Sequence, residues 1–148
     1  MARLDDLQRV ERAIVRIGRA GQSREAARIR AERSGVQLSR PSISIISALH
    51  TSGPIRLSLL ARMTHLEAPL VSRETASLVA DGYVSRTPDP TDGRATIVKL
   101  TAKGRKAYQK YRDAVDGIVA EAFEGWKAPD LKAFADYLER MAGDVTLR

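Results

Sequence analysis

The chain has 148 residues, 43% hydrophobic and 29% charged, a balance that suits a compact globular domain with an extension and excludes a disordered chain. Cysteine is absent, which rules out a disulfide framework, a thiolate nucleophile and redox sensing through a thiol. The formal charge of +7 permits a polyanionic partner but is unevenly spread: residues 1–40 hold ten basic and five acidic residues, a net of +5, whereas residues 41–100 (six and five) and 101–148 (nine and eight) each net +1. No run approaches the ~18 apolar residues of a membrane span. The polar start, Met1 to Asp6, lacks the apolar region of a signal peptide, so the expected compartment is the cytoplasm, with no membrane partner.

Leu4, Leu7, Val10, Ile14 and Ile17 recur at three- and four-residue intervals and predict an amphipathic helix, which Gly18 and Gly21 are expected to weaken or kink. Helical composition resumes from Gln22 to Arg33, and Ser34-Gly35 reads as a turn. Ser39 is a cap for the next helix, with Pro41 in its first turn. This helix carries Ile43, Ile45, Ile46 and Leu49 and stops at Thr51-Ser52-Gly53-Pro54, which makes it central core. Ile55-Arg56 is long enough only for one bridge of a sheet.

Two short helices come next. Leu57 to Met63 is expected to bury Leu57, Leu59 and Leu60. After a turn at Thr64-His65, a second helix runs from Ala68 to Ala80 with Val71, Thr75 and Leu78 inward, ended by Asp81-Gly82. The period then changes. Tyr83 to Thr87 and Arg94 to Leu100 read as strands around a six-residue tip, Pro88 to Gly93. Thr101 caps a long helix whose stripe is Tyr108, Tyr111, Val115, Ile118, Val119, Ala122, Phe123 and Trp126. Lys127-Ala128-Pro129 breaks it, and Leu131, Phe134, Leu138, Met141 and Val145 mark a last amphipathic helix.

Two short helices joined by a tight turn and followed by a hairpin are the parts of a winged helix-turn-helix. The expected fold is therefore mainly α with a small β-hairpin wing, and the expected partner is double-stranded DNA. A second helix of this kind enters a major groove about 12 Å wide, while the hairpin tip lies on the backbone or in the minor groove. With Val71, Thr75 and Leu78 inward, Ala68, Pro69, Ser72, Arg73 and Ala76 take the other side. Ser72 suits a phosphate or base edge, Arg73 a bidentate contact to guanine or a phosphate clamp, and the small residues allow close backbone approach. At the tip, Asp89, Asp92 and Arg94 are either turn formers with a surface ion pair, or Asp92 orients Arg94 toward the minor groove. Arg86, Thr87 and Lys99 would add phosphate contacts, as would Arg62 on the first helix of the pair.

Leu59-Leu60-Ala61, Leu66, Val71-Ser72-Arg73, Leu78 and Asp81-Gly82-Tyr83-Val84-Ser85-Arg86 together resemble the MarR family of transcription regulators. Pro88-Asp89-Pro90-Thr91-Asp92-Gly93-Arg94 and Leu100-Thr101-Ala102-Lys103-Gly104 resemble its wing and post-wing motifs, so the likeness covers about residues 57–104. It implies an obligate dimer with interlocked first and last helices, a pseudo-palindromic operator, and repression relieved by a small aromatic or phenolic ligand. It also places Ser72 and Arg73 at recognition-helix contact positions and Arg94 at the wing tip. One departure is Glu67, an acid where the family has a Ser or Thr cap.

The organisation expected is N-terminal dimerisation helices over 1–35, a winged helix-turn-helix core over 36–103, and C-terminal dimerisation helices over 104–148. A core of this size cannot cover the stripes of residues 4–17, 108–126 and 131–145, which points to a second copy of the chain, the alternative being an intramolecular helical bundle around the same residues. Arg16, His50, Tyr108 and Tyr111 are candidates for an effector pocket holding an aromatic carboxylate, although a histidine at a helix end also serves as a cap or surface group. No glycine-rich phosphate loop or nucleophile constellation is present, so no enzyme activity and no cofactor are expected. Two histidines, His50 and His65, without cysteine do not suggest a metal site. The rival readings are a winged-helix protein-docking module and a nonspecific architectural DNA binder.

Overall fold

The computed structural model describes residues 2–146. The chain divides into two compact units, one ending at Ala114 and one starting at Val115, with one long helix, α6 (Ala102–Ala122), beginning in the first and ending in the second.

The first unit opens with α1 (Ala2–Gln22) and α2 (Arg24–Ser34). α1 runs as one helix through Gly18 and Gly21; each glycine costs about 1 kcal/mol in a helix without forbidding it. Ser23 caps α2 by accepting from the Ala26 N–H at 3.0 Å, and Gly35 closes it at φ +66°, a conformation glycine takes without penalty. α3 (Arg40–Ser52) begins at the Ser39 cap, whose hydroxyl accepts from Ser42 N–H, and it buries Ile45, Ile46 and Leu49.

β1 (Ile55–Arg56), β2 (Val84–Pro88) and β3 (Thr96–Leu100) form an antiparallel sheet in the order β1-β3-β2. Ile55 pairs with Val98, and the β2–β3 ladder runs from Val84↔Leu100 to Pro88↔Thr96. The connecting tip is therefore residues 89–95, one longer than the sequence suggested. Between β1 and β2 lie α4 (Leu57–Thr64) and α5 (Ala68–Ala80), joined by a turn in which His65 adopts φ +53°.

The core is a continuous apolar cluster that joins Ile45 and Ile46 of α3, Leu60 of α4, Val71 and Leu78 of α5, and Val98 of β3. Leu59, expected inside, is 43% exposed. Leu60 takes the core position, and a neighbour 100° away on so short a helix points elsewhere.

The root of α6 is tied to the root of the hairpin. Thr101 donates its hydroxyl to the Gly82 carbonyl at 2.6 Å and its N–H to the Tyr83 carbonyl at 3.1 Å, while its oxygen accepts from Gly104 N–H. The Lys103 ammonium donates to the Asp81 carbonyl at 2.6 Å and lies 4.6 Å from the centre of the Tyr83 ring. Gly104 is obligatory here, because a methyl group in its place would collide with the Tyr83 carbonyl oxygen.

In the second unit α6 ends at Ala122, and a turn leads to α7 (Ala128–Thr146). Phe123 and Trp126 thus stand beyond the helix rather than on its stripe. With Phe134 they form an aromatic cluster, with ring centres 5.0 to 5.8 Å apart, in which Trp126 packs edge-on against Phe123. Among the described residues no helix is long and apolar enough to cross a membrane, and no group of three His, Asp or Glu is placed to hold a metal.

Candidate DNA interface

α5 has one covered side and one open side. Val71, Thr75 and Leu78 are buried, while Ala68, Pro69, Ser72, Arg73 and Ala76 are exposed, as the spacing requires. Glu67 stands at the N-terminal cap with extended backbone but makes no side-chain cap bond, so the first amides of α5 keep no protein acceptor from it. Open amides at a helix start attract anions, and the exposed Glu67 carboxylate is favourable to the same dipole.

The hairpin tip is held in shape by Asp89, which is only 7% exposed. One carboxylate oxygen accepts from the Thr91 N–H and the Thr91 hydroxyl, both at 2.8 Å, and the other accepts from Arg56 Nε at 2.6 Å. The Thr91 N–H, then its hydroxyl, then Arg56 push the Asp89 carboxyl down to about 2. Across the tip, Asp89 N–H donates to the Ala95 carbonyl, and Ala95 N–H to that of Asp92, each at 2.9 Å. Asp92 accepts from the backbone N–H of Arg94 at 3.1 Å. It therefore shapes the turn that carries Arg94; the ion pair at the tip is Asp89 with Arg56.

A groove about 340 Å³ in volume gathers the parts. Arg56, Ser58 and Ala61 line it from the α4 side, Ala68 and Ser72 from α5, and Arg94, Ala95 and Thr96 from the hairpin. The wing-tip arginine thus shares one groove with the start of α5. Arg86 has a different position: its guanidinium donates to the Ser72 carbonyl at 3.1 Å and braces β2 against α5. Arg62 and Thr87 are exposed on α4 and β2, and Lys99 on β3.

The four effector candidates do not form one pocket. Tyr111 lines a cavity of about 240 Å³ with Arg30, Leu38, Arg40, Ile43 and Ser44. His50 and Tyr108 touch, with ring centres 4.6 Å apart, and the Tyr108 hydroxyl pairs with that of Ser47 at 3.2 Å. His50 lines a separate cleft with Lys99 and Arg105. Arg16 lies with Arg9, Arg12 and Val10 along α1. The two tyrosines part because α6 meets α3 in the opposite sense: Tyr108 reaches residues 47–50, and Tyr111, nearly one turn on, reaches residues 43–44.

Sequence reasoning passed over Arg56, Glu74, Arg30 and Arg40. Arg56 pairs across 33 residues and Glu74 across 35 and 32 residues, beyond any local pattern. The Asp89-Pro90-Thr91 run did contain a signal, since an aspartate two residues before an amide commonly closes an Asx turn.

A helix pair with a three-stranded sheet and an arginine-tipped hairpin defines a winged helix-turn-helix protein. The model described as MarR family matches residues 38–96, so over its winged segment the chain is similar to that family. The HTH-type transcriptional regulator YdgJ of Bacillus subtilis is 25% identical over 108 residues, covering 73% of this chain and 66% of that protein. The chain thus aligns with just under two thirds of YdgJ. A MarR family protein from Bacillus stearothermophilus matches the fold with a TM-score of 0.75 at 16% identity, over 98% of this chain and 94% of the other. BpsR of Bordetella bronchiseptica, whose DNA binding is regulated by 6-hydroxynicotinic acid, matches with a TM-score of 0.57 at 20% identity, over 96% and 99%.

Proposed function

We propose that the chain acts in the cytoplasm as a homodimeric transcription repressor that reads a pseudo-palindromic operator and is released by a small aromatic anion. The observation that carries this reading is the groove lined jointly by Arg94 of the hairpin and by Ala68 and Ser72 of α5. It supports simultaneous contact, with α5 in the major groove and the wing tip at the neighbouring backbone or minor groove. Arg73 and Ser72 would read or position, Arg62 and Thr87 would add phosphate contacts, and Arg86 would hold α5 at its angle.

The apolar stripe of α1 supports a second copy of the chain: Leu7, Ile14 and Ile17 stay exposed, Ile17 at 67%. Two copies related by a two-fold axis would set their α5 helices about one DNA turn apart. The cavity at Tyr111 supports effector control. Arg30 and Arg40 supply positive charge, Leu38 and Ile43 an apolar wall, and its size fits one small ring with a carboxylate. BpsR offers a precedent for release by such a molecule.

Fluorescence anisotropy tests the reading with duplexes tiling the DNA beside the gene, against scrambled duplex at the same salt. One segment should bind roughly a thousandfold better than scrambled DNA. Arg94→Ala should cost about 1–3 kcal/mol, and salicylate serves as the test effector. Equal binding to every duplex would mean an architectural role; no binding at low salt would leave a protein-docking module.

A further inference from the structure

The first turn of α3 has two sides with different neighbours. Arg40, Ile43 and Ser44 line the cavity that also holds Arg30 and Tyr111. Ser39 and Ser42 face α5 instead. Both hydroxyls donate to the same oxygen of Glu74, at 2.8 and 2.9 Å. Ser39 in addition accepts the Ser42 N–H at 3.1 Å and so closes the N-terminus of α3. Ser42 is buried, and the hydroxyl of Ser39, then that of Ser42, holds the Glu74 carboxyl below the usual carboxylate range. Glu74 follows Arg73 directly and lies within a turn of Ser72, on the helix proposed to read DNA.

We propose that the Ser39–Glu74–Ser42 pair of hydrogen bonds is the link through which filling of the cavity beneath α3 changes the set of α5. The proposal deepens the effector-controlled regulator reading above and rests on it. A ligand between Arg30, Arg40 and Tyr111 presses on one side of the first turn of α3. The other side of that turn is bonded to α5 through an ionised acceptor. Separating them would strand the buried Ser42 hydroxyl and a partly covered carboxylate, so α5 moves with α3 rather than parting from it. Ser72 and Arg73 then leave their binding positions. The ligand shifts the equilibrium only by its preference for the displaced arrangement, which is why the cavity wall and the latch belong to the same turn.

The test fills the cavity from its opposite wall and needs no ligand. Ala31→Phe is combined with Glu74→Ala and with Glu74→Gln; anisotropy reads operator affinity and amide hydrogen exchange reads α5. Ala31→Phe alone should weaken operator binding about tenfold and speed exchange of the amides of Ser72 to Thr75. In the Glu74→Ala background its further effect should fall to about twofold or less, and it should return with Glu74→Gln, whose side-chain oxygen still accepts from both serines. An equal loss with and without Glu74, or a folded Ala31→Phe protein with unchanged exchange in α5, overturns the proposal. If thermal melting shows that Ala31→Phe does not fold, the smaller filler Ala27→Leu enters the same cycle with the same two outcomes. Should no duplex be selected while the change in exchange still depends on Glu74, the link stands and the regulator reading falls.

Discussion

α5 and α1 are both helices with an apolar side of the same period, and they meet opposite fates. On α5 the inward residues Val71, Thr75 and Leu78 are sealed by α3, α4 and the sheet. On α1 none of Leu4, Leu7, Val10, Ile14 or Ile17 is buried. Periodicity states that a side wants cover; it does not state what supplies it. For α5 the supplier is local in the fold, whereas for α1 it is proposed to be a second molecule. A fully buried aliphatic side chain contributes about 1.5–3 kcal/mol, so the stripe of α1 represents a large stabilisation that the isolated chain forgoes.

That contrast can be broken at its strongest point by opening the core. Ile46→Ala removes a fully buried side chain and should cost about 2–5 kcal/mol in denaturant unfolding. A cost below about 1 kcal/mol would mean that the wing does not depend on this cluster. The α1 side is sharpened by Ile14→Asp. It should raise the dimer dissociation constant about tenfold or more, read by sedimentation equilibrium, while leaving thermal unfolding nearly unchanged when both chains are compared at concentrations where they are monomeric. Equal loss of folding and assembly would place the stripe inside the monomer core.

The smallest effect expected is at Asp89. Its carboxyl lies near 2 in the folded chain, below the ordinary 3.8, so the ionised form is the one the fold favours. The stability it contributes is fully present above about 4 and is lost as pH falls through about 2. Denaturant midpoints of the natural chain and Asp89→Asn should therefore differ at neutral pH and converge as the pH approaches 2. A gap that persists in acid would mean that the tip is held by shape alone.

Where a rule acts within a few residues, the sequence already showed the structure. The buried side of α5 follows from residues 71, 75 and 78, and the caps at Ser39 and Thr101 from a hydroxyl before a helical run. The end of α3 at Gly53 was visible for the same reason. What escaped depends on tertiary approach. Nothing near Arg56 announces Asp89, and nothing near Glu74 announces two serines on another helix. The four effector candidates do not share one cavity, although His50 and Tyr108 touch, because residue type does not say which cavity a side chain enters. Leu59 escaped because a two-turn helix with three leucines leaves its core face ambiguous.

The joint at Thr101 has a consequence for how a duplex would be discriminated. Gly82, Tyr83, Thr101, Lys103 and Gly104 interlock so closely that the end of α5, the base of the wing and the start of α6 have no free pivot between them. The base of the wing is then held to the end of α5 and to the start of α6 by several bonds. For the proposed operator complex, part of the fit then falls to the DNA, which would bend or narrow to meet α5 and the wing at once. Base steps that neither α5 nor Arg94 touches would thereby enter the choice of site through their stiffness.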